Sequence, residues 1–220
     1  MTPPAWRPAL RQTLDCNVIK KFLIELSDQI VEAKSELNSL DAACGDGDFG
    51  STMAAAFEKA RKALEEAKND VGALLTSMGT SILSSAGGAS GPTVATLFME
   101  AGKSARGRNE VDLQAVASMF AESLQKIRTL GGANVGDKTL LDALEPAVNA
   151  LKAAADASIP LQDALDRAAE AARVGCESTK SLVAKQGKAR YLGEQTLGCV
   201  DPGAYLMSLT FATLAATTRD

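Results

Sequence analysis

An all-α fold, with eight antiparallel helices running up and down as a barrel or bundle, is the architecture this sequence predicts. Three observations lead there. Apolar residues recur at helical spacing along most of the chain, alternating strand-like runs are nearly absent, and glycine or proline interrupts the pattern about once per helix.

The elements follow in order. Ile19, Phe22, Leu23, Leu26 and Ile30 lie on one face of a first helix over roughly 17–37. A second, rich in the strong helix formers Ala, Lys and Glu, spans about 51–67. Asp70 serves as N-cap of a third, which runs through Leu74, Leu75, Met78 and Leu83 to the break at Gly87 and Gly88. Pro92 suits the first turn of a fourth, ending near Ser104. Asp112 caps a fifth, whose stripe is Leu113, Val116, Phe120, Leu124 and Ile127 and which Gly131 and Gly132 stop. A sixth, about 138–155, aligns Leu140, Leu144, Val148 and Leu151. Pro160 opens a seventh reaching toward Lys185, and Pro202 opens an eighth that closes near Thr217.

Length fits one domain over 1–220, with 1–14 as an N-terminal extension. The formal net charge of −4 offers no general attraction for nucleic acid or anionic membrane, so an anionic ligand has to be captured locally. The chain contains no histidine, which removes the usual zinc and haem ligands and excludes His-based acid/base or triad chemistry. Cys16, Cys44, Cys176 and Cys199 are widely separated and suggest no disulfide framework. Residues 1–11 carry Pro3, Pro4, Trp6 and Pro8 without the apolar stretch of a signal peptide, and no run reaches the ~18 apolar residues of a membrane span. A cytoplasmic protein is the expectation.

In an up-and-down arrangement the connectors after helices one, three, five and seven share one end. Those four, at 41–50, 86–92, 130–137 and 186–203, are the glycine-rich or charged ones, so a ligand site is expected at their common rim. The first holds Asp41, Asp46 and Asp48, with Gly45 and Gly47 between them. Three converging carboxylates call for a hard cation such as Mg²⁺, and hence for phosphates; a solvated acidic turn is the alternative, and the spacing does not fit an EF-hand. In the second, Gly87-Gly88-Ala89-Ser90-Gly91-Pro92 opens straight into a helix, which suits a phosphate at free backbone N–H groups but equally a tight turn. The third, with Gly136-Asp137-Lys138-Thr139, fails as a P-loop because Asp137 interrupts the motif and a helix precedes it. Lys138 and Thr139 serve either phosphate or structure there, and Asp137 either caps a helix or has a functional role. The fourth carries Lys185, Lys188 and Arg190, whose charge would offset a nucleotide's, or which form an ordinary solvated loop. Cys199 reads as a small filler, since no histidine is present to activate it.

Together these motifs, with Tyr191-Leu192-Gly193-Glu194 and Asp201-Pro202-Gly203-Ala204, resemble the nucleotide-binding L subunit of dihydroxyacetone kinase over nearly the whole chain. The same domain forms the C-terminal part of single-chain dihydroxyacetone kinases and the N-terminal part of fatty acid kinase proteins. The resemblance implies an eight-helix barrel that binds ATP or ADP at one rim through two Mg²⁺ ions held by Asp41, Asp46 and Asp48. It further implies nucleotide contacts from Phe49, Gly50, Ser51, Thr52, Ala89, Ser90, Gly131, Leu140, Lys188, Asp201, Pro202 and Gly203. The catalytic set it implies is Asp41, Asp46, Asp48 and Lys188.

Departures from the family pattern fall on the rim. Lys188 stands where Arg is usual, replacing a planar clamp with a point charge; Phe49 occupies a position that is often His or Cys, and Cys199 one that is often His. The implied function is a kinase subunit that gives a phosphoryl group from Mg·ATP to dihydroxyacetone or a related short ketose held by a separate K-type subunit. Two alternatives stay open: a phosphotransferase-system subunit that keeps ADP and is rephosphorylated by a phosphocarrier (M-type) protein, and a non-catalytic nucleotide-binding regulatory module. A homodimer is equally open.

Overall fold

A computed structural model of the chain describes residues 11–67, 69–88 and 90–219. In order these form strand β1 (Thr13–Asp15), helices α1 (Cys16–Glu32), α2 (Lys34–Ala42), α3 (Phe49–Glu66), α4 (Val71–Leu83) and α5 (Ser90–Ser104), strand β2 (Glu110–Asp112), and helices α6 (Leu113–Gly131), α7 (Leu141–Asp156), α8 (Leu161–Ser178) and α9 (Pro202–Arg219). Short 3-10 turns at Thr179–Ser181 and Ala189–Thr196 fill the α8–α9 connection.

Each long helix packs on the next in sequence, and α9 returns against α1, so α1, α3, α4, α5, α6, α7, α8 and α9 form a closed ring. The predicted eight-helix barrel is therefore present, with α2 as the continuation of the first helix. Every residue of the predicted α1, α6 and α7 stripes is buried. Two aromatic pairs anchor the interior between helices that are not neighbours in the ring. Phe57 of α3 meets Phe98 of α5 edge-on at 6.1 Å, and Phe120 of α6 meets Phe211 of α9 at 4.9 Å.

The predicted caps at Asp70 and Asp112 form: their carboxylates accept from Ala73 N at 2.7 Å and Ala115 N at 2.8 Å. Gly132 (φ 64°) closes α6 in the left-handed conformation that glycine adopts without strain.

Four boundaries differ from the sequence reading. The first helix breaks at Ala33 (ψ 2°) and resumes as α2, which carries Asp41 in its last turn. The sixth starts at Leu141 because Lys138, at φ 60°, lies outside helical backbone space. The seventh stops at Ser178, after which Leu182 is extended. Finally, Thr13–Asp15, which begins inside the 1–14 segment read as an extension and runs one residue past it, pairs antiparallel with Glu110–Asp112 and buries Leu14.

The two ends of the barrel are distinct. At one, Cys16 N and Val71 N donate to Asn109 O and Arg108 O, gathering the starts of α1 and α4 around β2. At the other lie the α2–α3, α4–α5, α6–α7 and α8–α9 connections. Among the described residues no helix is long and apolar enough to cross a membrane.

Candidate metal and nucleotide site

The α2–α3 turn is built around Asp41. Its Oδ2 accepts from Asp48 N at 3.0 Å and Phe49 N at 3.1 Å, capping α3 from the preceding helix. Gly47 (φ 78°) makes the reversal. A Cβ at Gly45 would lie 2.4 Å from Asp41 Oδ1, so glycine there leaves that oxygen uncovered. Asp41, half-buried, and the exposed Asp46 and Asp48 each offer an oxygen, and the three atoms lie within 4.8 Å of one another. Three carboxylates at this separation, one with a bare oxygen, fit a hard divalent cation.

Lys188 reaches across from the α8–α9 connection and its Nζ forms an ion pair with Asp46 Oδ2. That hydrogen bond is the main reason the Asp46 carboxyl is held below its usual range and the Lys188 ammonium above its own. One ammonium against three carboxylates still leaves the pocket acidic.

The start of α3 is more fully occupied than a bare helix N-terminus. Phe49 N donates to Asp41, Ser51 N to Asn38 Oδ1 at 2.9 Å, and Thr52 N to Asp48 O at 2.9 Å. Asn38 Nδ2 also donates to Ser51 Oγ at 2.9 Å, so the Ser51 hydroxyl accepts from α2 and keeps its own proton for another partner. The start of α3 therefore offers side-chain hydroxyls rather than a row of free amides. Gly50 is packed tightly, since a Cβ would lie 2.2 Å from Lys34 O. The Phe49 ring is buried in the core, so only its backbone faces the turn.

Asn38 is the residue that sequence reasoning missed. It sits one turn before Asp41, on the same face of α2, a spacing visible only once the helix is carried past Leu37.

A second group of predicted residues gathers around the α6–α7 and α8–α9 connections. Leu140 is buried, and a Cβ on Gly203 would lie 3.2 Å from its Cβ. Asp201 turns its carboxylate onto the start of α9, accepting from Ala204 N at 2.7 Å, with Pro202 buried beside it. Burial pushes the Asp201 carboxyl up to about 7; Ala204 N–H and Lys138 pull the other way, while Asp142 adds to the rise. Cys44 lies electrostatically between the two groups. Its thiol is pushed up to about 11, chiefly by burial, then by Cys199, against a pull from Lys138 and further pushes from Asp201 and Asp41. Such a thiol is inert.

Asp137 does not cap α7: its Oδ2 accepts from Asn134 N at 2.8 Å and its Oδ1 meets Lys185 Nζ at 3.2 Å. The buried Asp142 holds the loop, accepting from Gly136 N at 2.6 Å and Thr139 N at 2.7 Å. Gly87, Gly88 and Gly131 face open space, and Ser90, half-buried, starts α5. Ala89 lies outside the described residues.

A separate groove of about 720 Å³ runs between α7 and α8, lined by Pro146, Ala171 and Val174 with Asp166, Arg167 and Glu170. It shares no residue with the acidic cluster. The carboxylates, not this flank, carry the recognisable chemistry.

Residues 43–216 match the model of the DAK2 domain family. The chain belongs to this family. Its DAK2 segment contains Asp46, Asp48, Lys188 and Asp201, while Asn38 and Asp41 lie just upstream. The ADP-binding subunit DhaL of the PEP-dependent dihydroxyacetone kinase of Escherichia coli is 32% identical over 203 residues, 92% of this chain and 97% of that one. The DhaL subunit of PEP-dependent dihydroxyacetone kinase 1 of Listeria innocua is 34% identical over 206 residues, 93% and 98% of the two chains. The crystal structure of the dihydroxyacetone kinase from C. freundii in complex with AMP-PNP and Mg²⁺ matches this DAK2 barrel with a TM-score of 0.68 at 27% identity. That match covers 98% of this chain and 37% of the other, so the chain spans little more than a third of that kinase.

Proposed function

We propose that this chain is the nucleotide-binding L subunit of a dihydroxyacetone kinase, and that the whole of it is one such domain. It presents Mg·ATP at the barrel rim to a short ketose held by a separate K-type subunit, in the cytoplasm. The observation that carries the reading is the convergence of Asp41, Asp46 and Asp48 within 4.8 Å at the start of α3, with Lys188 across from them.

Asp41, Asp46 and Asp48 would hold Mg²⁺, two ions in the full site, which draws charge from the nucleotide phosphates. Ser51 Oγ, with its proton free, donates to a phosphate oxygen. Lys188 supplies a cation for the charge that shifts as the γ-phosphoryl leaves ADP and its phosphorus bonds to the ketose hydroxyl oxygen. The hydroxyl proton goes to a group on the partner, since the carboxylates of the acidic turn are committed to the metal and Asp201 to the start of α9. Rate enhancement on this side of the reaction is positioning and charge neutralisation.

The test mixes the chain with a K-type subunit, dihydroxyacetone and ATP at saturating Mg²⁺. Formation of dihydroxyacetone phosphate that depends on the chain is the expected result; its absence overturns the reading.

A second version is favoured by one observation: the relatives matched from end to end are named PEP-dependent, ADP-binding subunits. In that version ADP stays on the barrel and an M-type phosphocarrier rephosphorylates it. ADP that copurifies and survives dialysis, with turnover that requires the phosphocarrier, selects it.

A further inference from the structure

We propose that Lys138 is a positioning residue: its buried ammonium clamps the two feet of the loop that carries Lys188, and so acts on phosphoryl transfer without touching the nucleotide. Its activity arm rests on the kinase reading above.

Lys138 is 3% exposed, and its backbone sits at φ 60°. A lysine in that left-handed region is strained by roughly 1 kcal/mol or more, so the surroundings have to hold it there. What the conformation achieves is to aim the side chain inward. Nζ donates to Thr179 O at 2.6 Å and to Cys199 O. These two carbonyls are where the chain leaves α8 and where it returns to α9, and Lys188 lies between them.

Neighbouring contacts converge on the same feet. Thr179 Oγ1 donates to Cys176 O at 2.6 Å and accepts from Asp201 N at 3.0 Å. Gly198 N donates to Lys180 O at 2.8 Å, and Ala184 N to the buried Thr196 Oγ1 at 3.0 Å. Lys185 ties the loop to the same α6–α7 connection through Asp137 O and Gly136 O. Lys188 itself is exposed and its side chain is paired with Asp46 alone among the described residues, so where its ammonium meets Asp46 is set by where the loop begins and ends.

A direct phosphate role is disfavoured by the same geometry, because the ammonium is buried and two of its three donors are taken by main-chain carbonyls. An ordinary core role is a poor account too. Burying an ammonium is expensive, and an apolar side chain would fill the space without that penalty.

The test uses the full chain with a K-type partner and compares Lys138→Met, Lys138→Arg, Lys188→Ala and the Lys138→Met/Lys188→Ala double variant. Lys138→Met is expected to lower kcat about 10-fold or more while nucleotide KM moves less than about 3-fold, as a misplaced cation would. Lys138→Arg, which keeps a cation and its donors, restores most of the rate. In the Lys188→Ala background Lys138→Met has no further effect on kcat. Hydrogen exchange is the arm that needs no turnover: in Lys138→Met the amides of Ala184, Gly198 and Asp201 exchange about 10-fold faster or more, while those of α3 to α6 keep their protection.

Additive losses with Lys188→Ala, a KM effect that exceeds the kcat effect, or unchanged exchange at the three amides would each overturn the clamp. Should the wild-type chain show no turnover with any K-type partner, the kinase reading fails while the exchange arm still decides on the clamp. If Lys138→Met does not fold, Lys138→Gln, which retains a donor without the charge, carries the same comparisons.

Discussion

Replacing Gly50 with alanine tests whether α2 and α3 are as close as the site requires. The added Cβ would stand 2.2 Å from Lys34 O and 2.8 Å from both the backbone N and the side-chain Oδ1 of Asn38. A comfortable carbon–oxygen approach is about 3.3 Å, so the helices must separate by roughly 1 Å. Overpacking of this kind costs about 1–3 kcal/mol, and alanine's better helix propensity returns at most about 1 kcal/mol. The net loss, up to about 2 kcal/mol with that full return, lowers Tm by up to about 8 °C in a chain of this size. The same separation pulls Asn38 from Ser51 and Asp41 from the start of α3, so the gain in Tm on adding Mg·ADP should shrink as well. Gly87→Ala is the control: nothing lies within 4 Å of its added Cβ and its φ is ordinary, so Tm should not change. The assay is thermal unfolding followed by circular dichroism, with and without Mg·ADP. A Gly50→Ala protein that melts at or above wild type would refute the close contact.

Three further outcomes are expected. Asp46→Ala removes one carboxylate and the partner of Lys188, both exposed, so stability should stay within about 0.5 kcal/mol. Mg²⁺-dependent ADP affinity, measured by calorimetry, should fall about 10-fold or more, and an unchanged affinity would remove the triad as a cation site. Asn38→Leu strands the Ser51 N–H and frees its hydroxyl, a loss of about 1–3 kcal/mol by denaturant melts. Asn38→Asp, which still accepts from Ser51 N, should recover most of the stability, and equal losses in the two variants would contradict the assignment. Asp201→Asn probes this half-buried acid through pH. Because burial raises its carboxyl from the ordinary 3.8 to about 7, the folded chain holds a proton that the unfolded chain releases over that interval. Its contribution to stability therefore declines as pH rises from about 4 to about 7 and is flat above, by roughly 4 kcal/mol at most. Asparagine still accepts from Ala204 N without titrating, so its advantage over wild type should grow across that window; a constant offset at every pH would contradict it.

The ring of helices was legible because each apolar stripe is local: the residues that repeat in α1, α6 and α7 are those the structure buries. The acidic triad was legible for the same reason, lying within eight residues with glycine between. What escaped was set by distant parts of the chain. The break at Ala33 has no glycine or proline to mark it, and it reorients α2 so that Asn38 and Asp41 face α3. The late start of α7 follows from Lys138, whose ammonium is claimed by carbonyls 41 and 61 residues away. Three-residue strands are too short to show alternation, so β1 and β2 left no trace in the pattern.

Closure of the ring by α9 against α1 also has a consequence for assembly. Helix α9 starts at the rim, and its last turns meet the beginning of α8, with Arg219 on Asp166 and Ala215 O accepting from Gln162. Strand β1 sits at that same far end, beside β2. The first and last described elements of the barrel, β1 and the end of α9, thus lie away from the acidic turn. A neighbour joined at either one would leave the acidic turn and Lys188 unobstructed, and the architecture can serve as a free-standing unit or as one module of a longer chain without redesign of the rim.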